Sequence, residues 1–88
     1  MQTIYLLTTY FNDKKYYVID LDGNLSRSIK DSLIFLSKES AEQYIPAIER
    51  ELEYAFGIPH VINAERTNLM SIVSETLFEC IACSGNNN

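Results

Sequence analysis

The chain has 88 residues, 47% of them hydrophobic and 22% charged, which is the composition of a globular domain and too apolar for an intrinsically disordered one. Its formal charge of −5 is carried entirely by residues 38–88, where three basic side chains face eight glutamates, while residues 1–37 are balanced. An acidic surface repels a phosphate backbone, which disfavours direct nucleic-acid binding, and no segment reaches the roughly 18 apolar residues of a membrane span.

Residues Gln2–Phe11 are rich in Thr, Tyr, Ile and Leu and stop at the polar triplet Asn12-Asp13-Lys14, which predicts a strand and a hairpin loop. Lys15–Leu21 alternates, with Tyr17, Ile19 and Leu21 on one face and Tyr16, Val18 and Asp20 on the other, and then meets the turn Asp22-Gly23-Asn24. Leu25–Ile29 suits a short returning strand, and Leu33–Leu36 is a brief apolar run suited to burial. One of the two completes a three-stranded meander.

Ser37 and Ser40 are both competent helix caps, Ser40 being followed three residues later by Gln43. Ala41, Tyr44, Ile45, Ile48, Leu52, Ala55 and Phe56 recur at helical spacing, and Pro46 must kink this stripe or open a second helix within it. Gly57 and Pro59 end the element. His60–Asn63 suits an edge strand. Thr67 then reads as the cap of a last helix whose inward face is Leu69, Met70, Ile72, Val73, Thr76, Leu77, Cys80 and Ile81.

The expected fold is therefore α+β in the order β-β-β-α-β-α, a small antiparallel sheet of a three-stranded meander plus a fourth strand, packed by two helical regions. Residues 1–83 form the single domain and 84–88 a tail with nothing to bury. Ile4–Leu7 has neither a basic leader nor a small-residue cleavage site, so it reads as strand, and a cytoplasmic protein is expected. By the same reading, the sequon Asn24-Leu25-Ser26 has no expected consequence.

Several motifs suggest chemistry. Tyr17-Val18-Ile19-Asp20-Leu21-Asp22-Gly23-Asn24-Leu25 resembles the first motif of haloacid-dehalogenase-type phosphatases, which implies Asp20 as nucleophile, Asp22 as proton donor and a magnesium ion on the phosphate. The resemblance spans nine residues and departs at Asn24, where that family usually has Thr. The chain also has no room for the family's large parallel sheet. Asp-Gly after an alternating strand is equally a hairpin signal, and that reading is preferred. Asp20, Asp22, Asn24, Ser26, Ser28 and Asp31 imitate the ligand spacing of an EF-hand calcium loop, but Leu25 holds the position where that loop needs glycine, so a solvated loop is expected.

Cys80 and Cys83 form a Cys-x-x-Cys pair near the end of the last expected helix, where thiolate is disfavoured, and one pair is half a zinc site. His60 is the only histidine, and the glycines Gly23, Gly57 and Gly85 are isolated, so neither a hydrolytic triad nor a phosphate-cradling loop is supported. No catalytic residue, metal ligand or cofactor is assigned.

Two features suit contact with another macromolecule. The outward side of the first helical region carries Glu39, Glu42, Glu49 and Glu53, with Glu51 nearby. Tyr10 and Tyr16 lie close to the hairpin loop, where they are expected to sit opposite each other. The preferred reading is a non-enzymatic protein-binding module that occupies a basic surface on a partner protein through these glutamates and tyrosines. In its concrete form it is a small acidic inhibitor that competes with nucleic acid, such as a phage anti-defence protein. The rivals are a magnesium-dependent phosphatase-like hydrolase using Asp20 and Asp22, and a structural homo-oligomer such as a homodimer paired through the sheet.

Overall fold

A computed structural model of the protein describes residues 2–73. It is α+β, with β1 (Thr3–Phe11), β2 (Lys14–Val18), β3 (Leu25–Ser26), a 3-10 turn (Ile29–Asp31), α1 (Lys38–Glu42), α2 (Ile45–Phe56) and β4 (Asn63–Asn68). Residues 69–73 are again helical. The sheet is antiparallel in the order β3-β2-β1-β4.

β1 is a central strand, and its sequence shows why: Ile4, Leu6, Leu7, Thr8 and Thr9 are all buried, which requires cover on both faces. Leu7 packs with Val18, Ala41, Ile48, Leu52 and Ile62 in the layer beneath α1 and α2. Ile4 and Leu6 pack on the other side with Ile72, flanked by Tyr17 and Ile29. The two buried hydroxyls on β1 include Thr9, whose Oγ1 donates to the Val61 carbonyl at 2.9 Å and so ties down the loop before β4.

The β1–β2 loop is shorter than the triplet expected from sequence. Asn12 and Asp13 both take positive φ, 52° and 63°, the backbone of a two-residue hairpin turn, and Lys14 already pairs with Phe11. This sets the register Tyr10↔Lys15 and Thr9↔Tyr16. Directly opposed residues share a face and neighbours alternate, so Tyr10 and Tyr16 lie on opposite faces of the sheet and do not form the expected pair.

Both candidate third segments are used. Leu25–Ser26 pairs with β2, while Phe35 exchanges hydrogen bonds with Tyr5 at 2.8 and 2.9 Å, filling the position beside β1 that β2 has left. β2 itself ends at Val18 rather than Leu21, because the chain beyond it is already turning.

Ser37 caps α1, its Oγ accepting from the Ser40 N–H at 3.1 Å. Pro46 opens α2, where its missing N–H costs nothing, and Gly57 closes the helix in the left-handed conformation at φ 76°.

Two expectations after α2 are corrected. β4 runs over Asn63–Asn68 and not His60–Asn63, because the long central strand offers pairing partners from Thr3 to Thr8. Thr67 therefore sits in the strand opposite Ile4, and the residue that caps the next helical turn is Asn68, whose Oδ1 accepts from the Ser71 N–H at 3.1 Å. Of the expected inward face, Ile72 is buried while Leu69, Met70 and Val73 are exposed. Thr76, Leu77, Cys80, Ile81, Cys83 and the tail 84–88 lie outside the described residues.

Candidate functional site

A concave surface lies where the hairpin end of the sheet meets the C-terminal end of α2. It is a cleft of about 400 Å³ lined by Phe11 and Tyr16 from the hairpin strands, Ala55 and Phe56 from α2, His60, and the turn Asp22-Gly23-Asn24-Leu25. That volume is within the range of small-ligand sites.

Three rings build its aromatic side. Phe11 and Phe56 have centroids 6.3 Å apart, and His60 lies 5.5 Å from Phe11 and 5.2 Å from Phe56. His60 is 6% exposed, and its Nδ1 is 3.1 Å from the Ile58 carbonyl oxygen. A carbonyl only accepts, so this nitrogen carries a proton and the ring is oriented by the loop that follows α2. Arg27 lies over the Tyr16 ring at 5.4 Å without lining the cleft.

The polar side is the 20–24 turn. The Asp20 carboxylate organises it: Oδ1 accepts from the N–H groups of Asp22 at 2.9 Å and Asn24 at 3.2 Å, and Oδ2 accepts from the Asn24 side-chain amide at 2.6 Å. The side-chain bond from Asn24, helped by the backbone N–H groups of the turn, outweighs partial burial and holds the Asp20 carboxyl below the usual carboxylate range. Asp22 gives the turn its N–H and stands exposed at the cleft. Gly23 takes φ 87°, and a Cβ there would stand 3.1 Å from the Glu51 Cβ, so the turn presses on α2 where only glycine fits.

The residues singled out from sequence divide. Glu39, Glu42 and Glu53 are exposed, as is Tyr10 at 59%. Glu49 differs from the other glutamates: its Oε2 accepts from the N–H of buried Ile62 at 2.8 Å, so this carboxylate fastens α2 to the start of β4. Tyr16 lines the cleft. Asp20 is employed in closing a turn, which is a structural role, while Asp22 reaches the cleft. Among the described residues no group of three or more His, Cys, Asp or Glu is arranged to hold a metal ion, and no helix is long and apolar enough to cross a membrane.

Phe11, Phe56 and His60 were not marked as site residues by sequence. Phe56 looks like the last member of the buried stripe and Phe11 like the end of a strand. The one legible signal was the solitary His60, directly after the stop at Gly57 and Pro59.

Family models, curated proteins and solved structures all give no match, so any function has to be read from this geometry.

Proposed function

We propose that the protein is a non-enzymatic binding module that docks on a basic surface of a partner protein. The observation that carries this reading is the convergence of the hairpin and α2 on one open cleft. Phe11 and Tyr16 come from the first, and Ala55 and Phe56 from the second, with the acidic turn between them. Aromatic and apolar side chains that stay accessible beside carboxylates are the composition of a docking surface. Phe56 is 53% exposed and Tyr54, two residues earlier, 91% exposed, both on the helix that also presents Glu51 and Glu53 to solvent.

The net charge of −5 supplies the long-range term, drawing a basic partner in and holding phosphate backbones off. If the partner's basic surface is itself a nucleic-acid site, docking there makes the protein a competitive inhibitor. Asp20, the residue a hydrolytic reading needs as nucleophile, is instead held by three hydrogen bonds within its own turn.

The test is capture of partner proteins on the immobilised chain in rising salt, set beside a Glu39→Lys/Glu42→Lys/Glu53→Lys variant. Electrostatic docking predicts retention at low salt, release at high salt and loss of capture by the charge-reversed chain. A partner held equally by both chains at every salt concentration would overturn the reading.

A further inference from the structure

We infer that the cleft seats an arginine side chain of the partner, its methylenes and guanidinium lying along Phe11, Phe56 and Tyr16 and its charge meeting Asp22. The inference rests on the docking reading above and adds the chemistry of the contact. The cleft is amphipathic in the sense that arginine is: aromatic on one side, and on the other an exposed carboxylate that the turn leaves outside its own hydrogen bonds to Asp20.

Two further features favour a cation there. α2 ends at Phe56, so the negative end of its dipole points at this wall. The Glu51 Cβ flanks the Gly23 turn from α2, so a second, exposed acidic residue adds to the negative field around the turn without lining the cleft. Tyr16 already stacks with one guanidinium, that of Arg27 at 5.4 Å, which shows that this ring takes the geometry, while the Arg27 charge itself opposes a second cation. Arginine is favoured over lysine because a planar guanidinium stacks on rings and bonds a carboxylate through two N–H groups, whereas an ammonium is a strongly hydrated point charge.

The experiment is an amide-resonance titration of the full chain with acetyl-Gly-Arg-Gly-amide, run beside the lysine, citrulline and phenylalanine counterparts. The arginine peptide is expected to shift residues 11, 16, 22–25, 56 and 60 saturably, leaving Leu6 and Ile72 on the far side unmoved. Citrulline, its neutral isostere, should bind more weakly. Asp22→Asn keeps the N–H that the turn uses and should weaken the arginine peptide by about two- to fivefold. Phe56→Ala should weaken it by about the same factor. Equal binding of citrulline and arginine, tightest binding of the phenylalanine peptide, or indifference to Asp22→Asn would each overturn the inference. If the peptide fails but salt-sensitive capture persists, the cleft chemistry is wrong and docking stands. If the cleft takes arginine while the charge-reversed chain captures partners as before, docking through the glutamates is wrong.

Discussion

Replacing Glu49 separates its structural role from any part in docking. Its Oε2 receives the N–H of Ile62, a residue 4% exposed and therefore without easy access to water as a substitute acceptor. Glu49→Ala strands that donor, and a buried unpaired N–H costs about 1–3 kcal/mol; the glutamate is itself only partly buried, which argues for the lower half of that range, about 1.5 kcal/mol. In a domain of this size each kcal/mol moves the melting temperature by about 4–8 °C, so Tm should fall by roughly 6–12 °C. Glu49→Gln keeps an acceptor oxygen on a side chain of the same length and should lose less than half as much. Thermal unfolding followed by far-UV circular dichroism reads both variants, and hydrogen exchange at the Ile62 amide should accelerate in the alanine variant well beyond the average amide. Equal melting of the alanine variant and the parent, or equal damage from glutamine and alanine, would refute the assignment of Glu49 to the fold.

Other substitutions test the remaining joints. Gly23→Ala adds a Cβ at φ 87°, 3.1 Å from the Glu51 Cβ, and should destabilise by about 1–2 kcal/mol in chemical denaturation. Leu52→Ala empties a fully buried position beneath the sheet and should cost about 2–5 kcal/mol by the same measurement. The Asp20 carboxyl is lowered in the folded chain, so the stability it contributes is present above its ordinary value of 3.8 and is lost as pH falls through the depressed folded value. Parent and Asp20→Asn should therefore differ in Tm at neutral pH and converge in strong acid, and a difference that widens on acidification would contradict this.

Lys15 gives the opposite sign. Burial pulls its pKa down, but the hydrogen bond and charge of Glu65, with Tyr17 and Tyr10 behind them, raise it above 10.5, so its contribution holds below 10.5 and fades as pH climbs through the folded value. The pair is partly exposed, and Glu65→Gln should cost only about 0.2–1 kcal/mol near neutrality.

The sequence carried the elements better than their partners. β1, a serine cap at Ser37 or Ser40, a kink or break at Pro46 and the Gly57 stop were legible because each depends on a few adjacent residues. The pairing of Phe35 with Tyr5 was not, since it joins segments thirty residues apart. Nor was the register of the first hairpin, which hangs on whether the loop holds two residues or three; that single residue decides whether Tyr16 faces Tyr10 or the opposite side. The strand at Asn63–Asn68 was hidden for another reason. Asn63, Ala64, Glu65 and Asn68 are poor strand formers, and what makes the segment a strand is the central β1 with six residues to pair.

The cleft illustrates the same limit on one helix. Ile48, Leu52 and Phe56 stand four residues apart and read as equal members of a buried stripe. Ile48 and Leu52 are fully buried, yet Phe56 is half exposed. Its ring neighbours are Phe11, the last residue of β1, and His60 in the loop leading to β4, so at Phe56 the helix has reached the end of the sheet that covers its inner face. Periodicity gives the direction of a side chain but not where the opposing layer stops. A stripe that outruns its sheet leaves an apolar ring at an edge, and beside the tight turn at Gly23 that edge becomes one wall of a cleft with a carboxylate opposite. The length of β1 relative to α2, set by the two-residue turn at Asn12 and Asp13, thus determines whether Phe56 lies under the sheet or at its open edge.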